Sequence, residues 1–152
     1  MQMLSRLWVL FVAGIVAALA ADPLMGTWKV IPESVKQPAD GPTDIVMKYE
    51  PAGESMIKFT LNAQIGGRPY TYSWTAKPGA GKSAPDGQIS SQQVELQRPG
   101  QNHIITIHYR GGQEVARHDS TISPDGKVMT TKSRSQTRGG EIINSESQYR
   151  KQ

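Results

Sequence analysis

Cysteine is absent from this chain of 152 residues. No disulfide can staple the fold, and no thiol can serve as a nucleophile or metal ligand. Blocks of like charge are missing too. Seventeen Lys and Arg against 13 Asp and Glu leave a formal charge of +4, spread without any run of five. A nucleic-acid surface needs clustered cations, so a nucleic-acid partner is not expected. Long apolar runs are limited to one, Leu7 to Ala20, of about 14 residues. That is signal-peptide length and short for a membrane span. Arg6 precedes it, and Ala18-Leu19-Ala20 closes it as an A-x-A cleavage site. Residues 1–20 therefore read as a signal peptide, with no cysteine at the cut for a lipid anchor. The expected mature chain, 21–152, is one domain of about 130 residues. It is long enough to bury its own core. It is expected to be periplasmic or secreted, with no stable membrane insertion once the leader is removed. The lack of disulfides favours a bacterial periplasm.

Helical periodicity is also lacking: no stretch holds it for three turns. Turn signals take its place, at Pro51-Ala52-Gly53, Gly66-Gly67, Pro99-Gly100, Gly111-Gly112, Pro124-Asp125-Gly126 and Gly139-Gly140. Glycine supplies positive φ without steric cost, so these pairs punctuate hairpins. Between them lie segments of strand length, predicted at 25–31, 44–50, 55–64, 70–77, 91–98, 103–110, 114–122, 128–136 and 142–150. The connections are short except at 32–43 and 78–90, which read as loops, the second flexible by composition. The expected fold class is all-β, a single up-and-down antiparallel meander barrel of about 8–10 strands, since closure removes exposed edges.

Side chains alternate between faces along a strand. The expected inner sets are Ile57, Phe59, Leu61 and Ala63; Tyr70, Tyr72, Trp74 and Ala76; Val94 and Leu96; and Ile105, Ile107 and Tyr109. A two-residue Gly111-Gly112 turn sets Arg110 opposite Gln113, which places Ala116, His118, Ser120 and Ile122 beside the isoleucines. The last two strands are poor in apolar residues. Met129, Thr131 and Ser133, and Ser145, Ser147 and Tyr149, offer hydroxyls where a packed core would take Val or Leu. Either they line a hydrated cavity, or they form the solvated edge of an open sandwich.

Gly26-Thr27-Trp28-Lys29-Val30, at the entrance of the first strand, resembles the first-strand motif of the lipocalins and fatty-acid-binding proteins, the calycin superfamily. Ile107 to Glu114, Asp125-Gly126-Lys127 and the terminal Tyr149-Arg150-Lys151 are similar to the last strands of a fatty-acid-binding protein. The chain also resembles bacterial secreted lipocalin-like domains. The resemblance implies that Gly26 lets the first strand bend and that Trp28 plugs the closed end of the barrel. It also implies that a late arginine, Arg150 or Arg134, packs on the indole ring. Two departures stand out. At the positions of the Arg-x-Tyr pair that holds a fatty-acid carboxylate, this chain has Ser147 and Tyr149, so the bidentate cation is missing. The interval 32–43 is too short and proline-rich for the helical lid of that family, so the mouth is expected to be open.

Catalytic signatures are scarce. Gly79-Ala80-Gly81-Lys82-Ser83 imitates the end of a phosphate loop, but Ala76 stands where its first glycine belongs and no helix pattern follows. His118 and Asp119 are adjacent in a strand and so face opposite ways. No serine sits in a nucleophile elbow. His103 and His118 are expected diagonally on the inner face, two ligands where a zinc site takes three or four. Neither metal nor cofactor is expected, nor enzymatic activity. The aromatic stripe Tyr70, Tyr72 and Trp74 serves either core packing or ligand stacking. The expected function is binding of a small amphipathic or hydrophobic molecule by a monomer, through Phe59, Leu61, Tyr72, Trp74, Ile107, His118, Thr131 and Tyr149. The alternative is a protein-interaction module acting through loops 32–43 and 78–90.

Overall fold

The computed structural model describes residues 20–152. The expected leader, 1–20, lies outside the described residues apart from Ala20. Eleven strands follow one another: β1 Gly26–Val30, β2 Thr43–Pro51, β3 Ile57–Ile65, β4 Arg68–Ala76, β5 Lys82–Ser83, β6 Asp86–Gly87, β7 Gln93–Gly100, β8 His103–Arg110, β9 Gln113–Ile122, β10 Val128–Gln136 and β11 Ile142–Lys151. All pairings are antiparallel, in the order β5-β7-β8-β9-β10-β11-β1-β2-β3-β4-β6. The first strand pairs with the last, so the sheet curls into an up-and-down meander barrel. Each of the nine predicted strands is present, with ends shifted by a few residues.

The barrel's seam lies between β4 and β7, which approach one another without a ladder. Segment 78–90 runs along this seam and is not the free loop its composition suggests. Lys82–Ser83 pairs with β7 and Asp86–Gly87 with β4. Gly87 has φ +97°, and a Cβ there would lie 2.7 Å from the Thr71 carbonyl oxygen. Only glycine allows the segment to press this closely on β4.

One end of the barrel is packed solid. Leu24, Trp28, Leu96, Ile104, Ile122 and Met129 are buried there, with the 20–25 segment folded beneath. The Trp28 indole donates to the Leu24 carbonyl at 2.9 Å. Arg98 clamps Asp22 through two bonds of 2.6 Å, and this bond holds the Asp22 carboxyl below its ordinary range. The cation over Trp28 is Lys151, with Nζ 5.0 Å from the ring centroid and donating to the Pro23 carbonyl at 2.8 Å. Arg150 does not take this place. It pairs with Lys29, one step out of phase with Trp28↔Lys151, and is exposed. Gly26 sits at φ +124°, where a Cβ would crowd Lys151 Cε at 3.1 Å.

Strand β8 presents the opposite face from the one its isoleucines suggest. Arg110 does pair with Gln113 and Tyr109 with Glu114, but the next pair is His108↔Ala116. Val115 is an extra residue on β9, a one-residue bulge that turns everything beyond it. Ile104, Thr106 and His108 therefore share the inner face with His118 and Ser120. Ile107, although buried, lies outside between Glu95 and Arg117 on the flanking strands.

Candidate ligand cavity

Above the packed end the barrel is hollow, with a cavity of about 320 Å³. Its two walls come from two runs of strands. On β2–β4, Ile45, Met47, Tyr49, Phe59, Leu61, Tyr72 and Trp74 form an apolar wall. Phe59 and Trp74 stack at 4.9 Å with their planes 17° apart, and Tyr49 and Tyr72 tilt against Phe59 at 5.0 and 5.8 Å. On β8–β11, Thr106, His108, His118, Ser120, Thr131, Ser133, Ser145 and Ser147 form a polar one. Short hydroxyl side chains leave space that Val or Leu would fill, which is why this half is hollow.

The polar wall bonds mainly within itself. Ser120 and Thr131 share a hydrogen bond of 2.8 Å. His118 Nδ1 pairs with the Ser133 hydroxyl at 2.7 Å, and His108 Nδ1 with Ser91 at 3.0 Å. The two imidazoles meet edge to face with centroids 5.2 Å apart. Burial pushes His108 down to about 3, with His118 adding to the effect, and burial alone pushes His118 down to about 4. Both rings are therefore neutral near neutral pH. The serine partners can donate to or accept from Nδ1, so either tautomer is satisfied. Nε2 of His108 and Nε1 of Trp74 are buried without a partner. Burial likewise raises the phenols of Tyr49 and Tyr72, with neighbouring tyrosines adding to it.

Among the described residues, no Lys or Arg lines the cavity, and Asp40, at the rim, is the one carboxylate that does. The rim includes Gln37, Pro38, Gly41 and Pro42, with Gln37 Nε2 donating to the Pro42 carbonyl at 2.7 Å. The 32–43 interval thus leans over the mouth and is tied back by the Lys36↔Glu146 bridge.

Of the eight residues expected to bind the ligand, the structure brings seven to the cavity wall: Phe59, Leu61, Tyr72, Trp74, His118, Thr131 and Tyr149. Ile107 does not, for the reason given by the bulge. The predicted neighbour of His118 was His103. That residue faces outward and bonds Asp119 at 2.9 Å, and His108 takes its place inside. Sequence reasoning missed His108 and Thr106 because the apolar alternation of β8 points the other way. It also left the inner face of β2 unread, although Ile45, Met47 and Tyr49 alternate there. Among the described residues, no three of His, Asp and Glu converge to hold a metal ion.

No protein-family model and no curated protein matches the chain. Solved structures do match. Rv2717c from M. tuberculosis aligns with a TM-score of 0.53 at 14% identity, over 86% of this chain and 93% of that one. A redesigned β barrel aligns at 0.48 and 13%, covering 88% and 95%. A Schistosoma mansoni fatty acid binding protein in complex with arachidonic acid aligns at 0.49 and 13%, covering 86% and 96%. At such identities the likeness is one of fold. The likeness to Rv2717c agrees with the up-and-down meander barrel traced above.

Proposed function

We propose that this protein is a non-catalytic carrier or scavenger that holds one small amphipathic molecule inside its barrel, working as a monomer in the periplasm or as a secreted protein. The observation that carries this reading is the two-faced cavity: a stacked aromatic wall facing a wall of hydroxyls and neutral imidazoles. Its volume of about 320 Å³ lies at the lower end of small-molecule sites, roughly 300–1,000 Å³. The apolar wall supplies affinity by removing ligand surface from water, and the polar wall orients the ligand. The leader-like first 20 residues support export. The chemistry of the cavity does not favour catalysis. His118 and His108 have only serine hydroxyls on Nδ1, with no carboxylate to orient them as bases. The pinning of segment 78–90 to both sides of the seam weakens the interaction-module reading, which needs that segment free to meet a partner.

The test is fluorescence titration with N-phenylnaphthylamine, an uncharged probe that brightens out of water. Saturable uptake at one probe per chain is expected, with quenching of Trp74 by a probe stacked beside it. A Trp74→Leu variant that keeps its fold should lose most of that quenching. Absence of saturable uptake would refute the reading.

A further inference from the structure

We infer that the molecule held in the cavity carries an uncharged end that both donates and accepts hydrogen bonds, such as an alcohol or amide, seated against the His108–His118 side, and that the matching carboxylate is rejected. This inference rests on the cavity-binding reading above and narrows it to a ligand class. The first ground is the lack of a counter-charge. A buried anion needs a cation or several converging donors, and among the described residues no Lys or Arg lines this cavity. At Ser147, two residues before Tyr149 on β11, the side chain is a small buried hydroxyl facing the cavity. The second ground is the state of the imidazoles. His108 is only 2% exposed, and its neighbour His118 shares the same low-dielectric pocket. Neither ring carries a charge with which to attract an anion. The groups facing the pair from adjacent elements, Tyr72, Thr106, Ser120 and Ser133, are all neutral. The third ground is unused bonding capacity. His118 lines the cavity with Nδ1 taken by Ser133, which leaves its Nε2 for a ligand, while His108 Nδ1 is taken by Ser91 and its Nε2 is enclosed without a partner. A neutral group that both donates and accepts matches such a wall, because each serine–imidazole pair can set either tautomer and so offer or accept a proton at Nε2.

The experiment is isothermal calorimetry of the purified protein with decanol, decanoate and decyltrimethylammonium, which share one chain and differ in charge. It is run at about pH 7.5, where decanoate is ionised. Decanol is expected to bind, with both ions weaker by about 30-fold or more, as suits burial of an unpaired charge. His118→Leu should weaken decanol by about three- to tenfold, the worth of one net hydrogen bond, and leave the thermal midpoint nearly unchanged. Decanoate binding as tightly as decanol would overturn the inference while leaving the cavity-binding reading intact. No binding by any of the three, together with no uptake of N-phenylnaphthylamine, would overturn both. Should His118→Leu not fold, His118→Phe, which keeps a ring and also removes Nε2, gives the same readout. An unchanged decanol affinity in whichever variant folds would remove the histidine side from the proposal.

Discussion

Trp28 is the side chain on which the closed end turns. It is fully enclosed, its indole N–H is spent on Leu24, and Lys151 lies over its face. Trp28→Ala leaves a void among residues that cannot collapse into it and frees the Leu24 carbonyl. A loss of about 3–5 kcal/mol is expected in urea unfolding, with Lys151→Ala costing about 0.5–1 kcal/mol. His108 and His118 make the second case at this scale, through pH. Their folded pKa values, about 3 and about 4, lie below the value of about 6.5 for an unfolded histidine. Between those limits the unfolded chain takes up protons that the folded barrel refuses. Stability is therefore complete above about pH 6.5 and falls as pH drops towards 4, by at most about 1.4 kcal/mol per pH unit for each ring. Thermal midpoints from pH 7 to pH 4 should show this decline, and His108→Phe should make it shallower. A midpoint flat across that range would mean that the imidazoles are not buried as described.

At the scale of elements, β3 and β4 could be read in full and β8 could not. Ile57, Phe59 and Leu61, and Tyr72 and Trp74, alternate with polar residues, and each chain faces as its apolarity demands. In β8 both sets are mixed: Ile105 and Ile107 alternate with Thr106 and His108, and Ile104 sits on the polar side. The face is then decided by the bulge at Val115, which no local signal in Gly111-Gly112-Gln113-Glu114 announces. The hydroxyl wall was legible in the weakness of β10 and β11. The stitched seam was not, because two-residue strands leave no periodicity. Gly87→Ala tests that seam. The added Cβ would meet Thr71 and Tyr72 backbone at 2.7 and 2.9 Å, at φ +97°. It should lower stability by about 1–3 kcal/mol. Gly111→Ala, at φ +59° with open space around it, should cost about 1–2 kcal/mol from the backbone alone. Equal losses measured side by side in urea would mean that the close approach at Gly87 adds nothing.

For the whole molecule, the barrel is held unevenly around its girth. From β7 through β11 and β1 to β4 each strand is laddered to its neighbour, and β10 pairs with β11 over nine positions. Across the seam the ladder is absent, and closure depends on Lys82–Ser83 and Asp86–Gly87 with a few bonds such as Gly79 N–H to the Leu96 carbonyl at 2.9 Å. Opening there breaks few hydrogen bonds and exposes Tyr72 and His108, which meet edge to face at 6.1 Å across it. Local opening follows the least-bonded boundary. In hydrogen exchange, amides of 79–92 should exchange first and those of β10 and β11 last. The seam also borders both walls of the cavity, so a ligand bound inside bridges what the backbone leaves unjoined. Saturating N-phenylnaphthylamine should slow exchange at 79–92 and at Tyr72 by the factor that its own binding free energy sets, because a ligand that binds only the closed barrel shifts the opening equilibrium by that amount. Exchange at 79–92 that is unchanged by saturating probe would mean that the seam opens without releasing the ligand, and the ligand would then not bridge it.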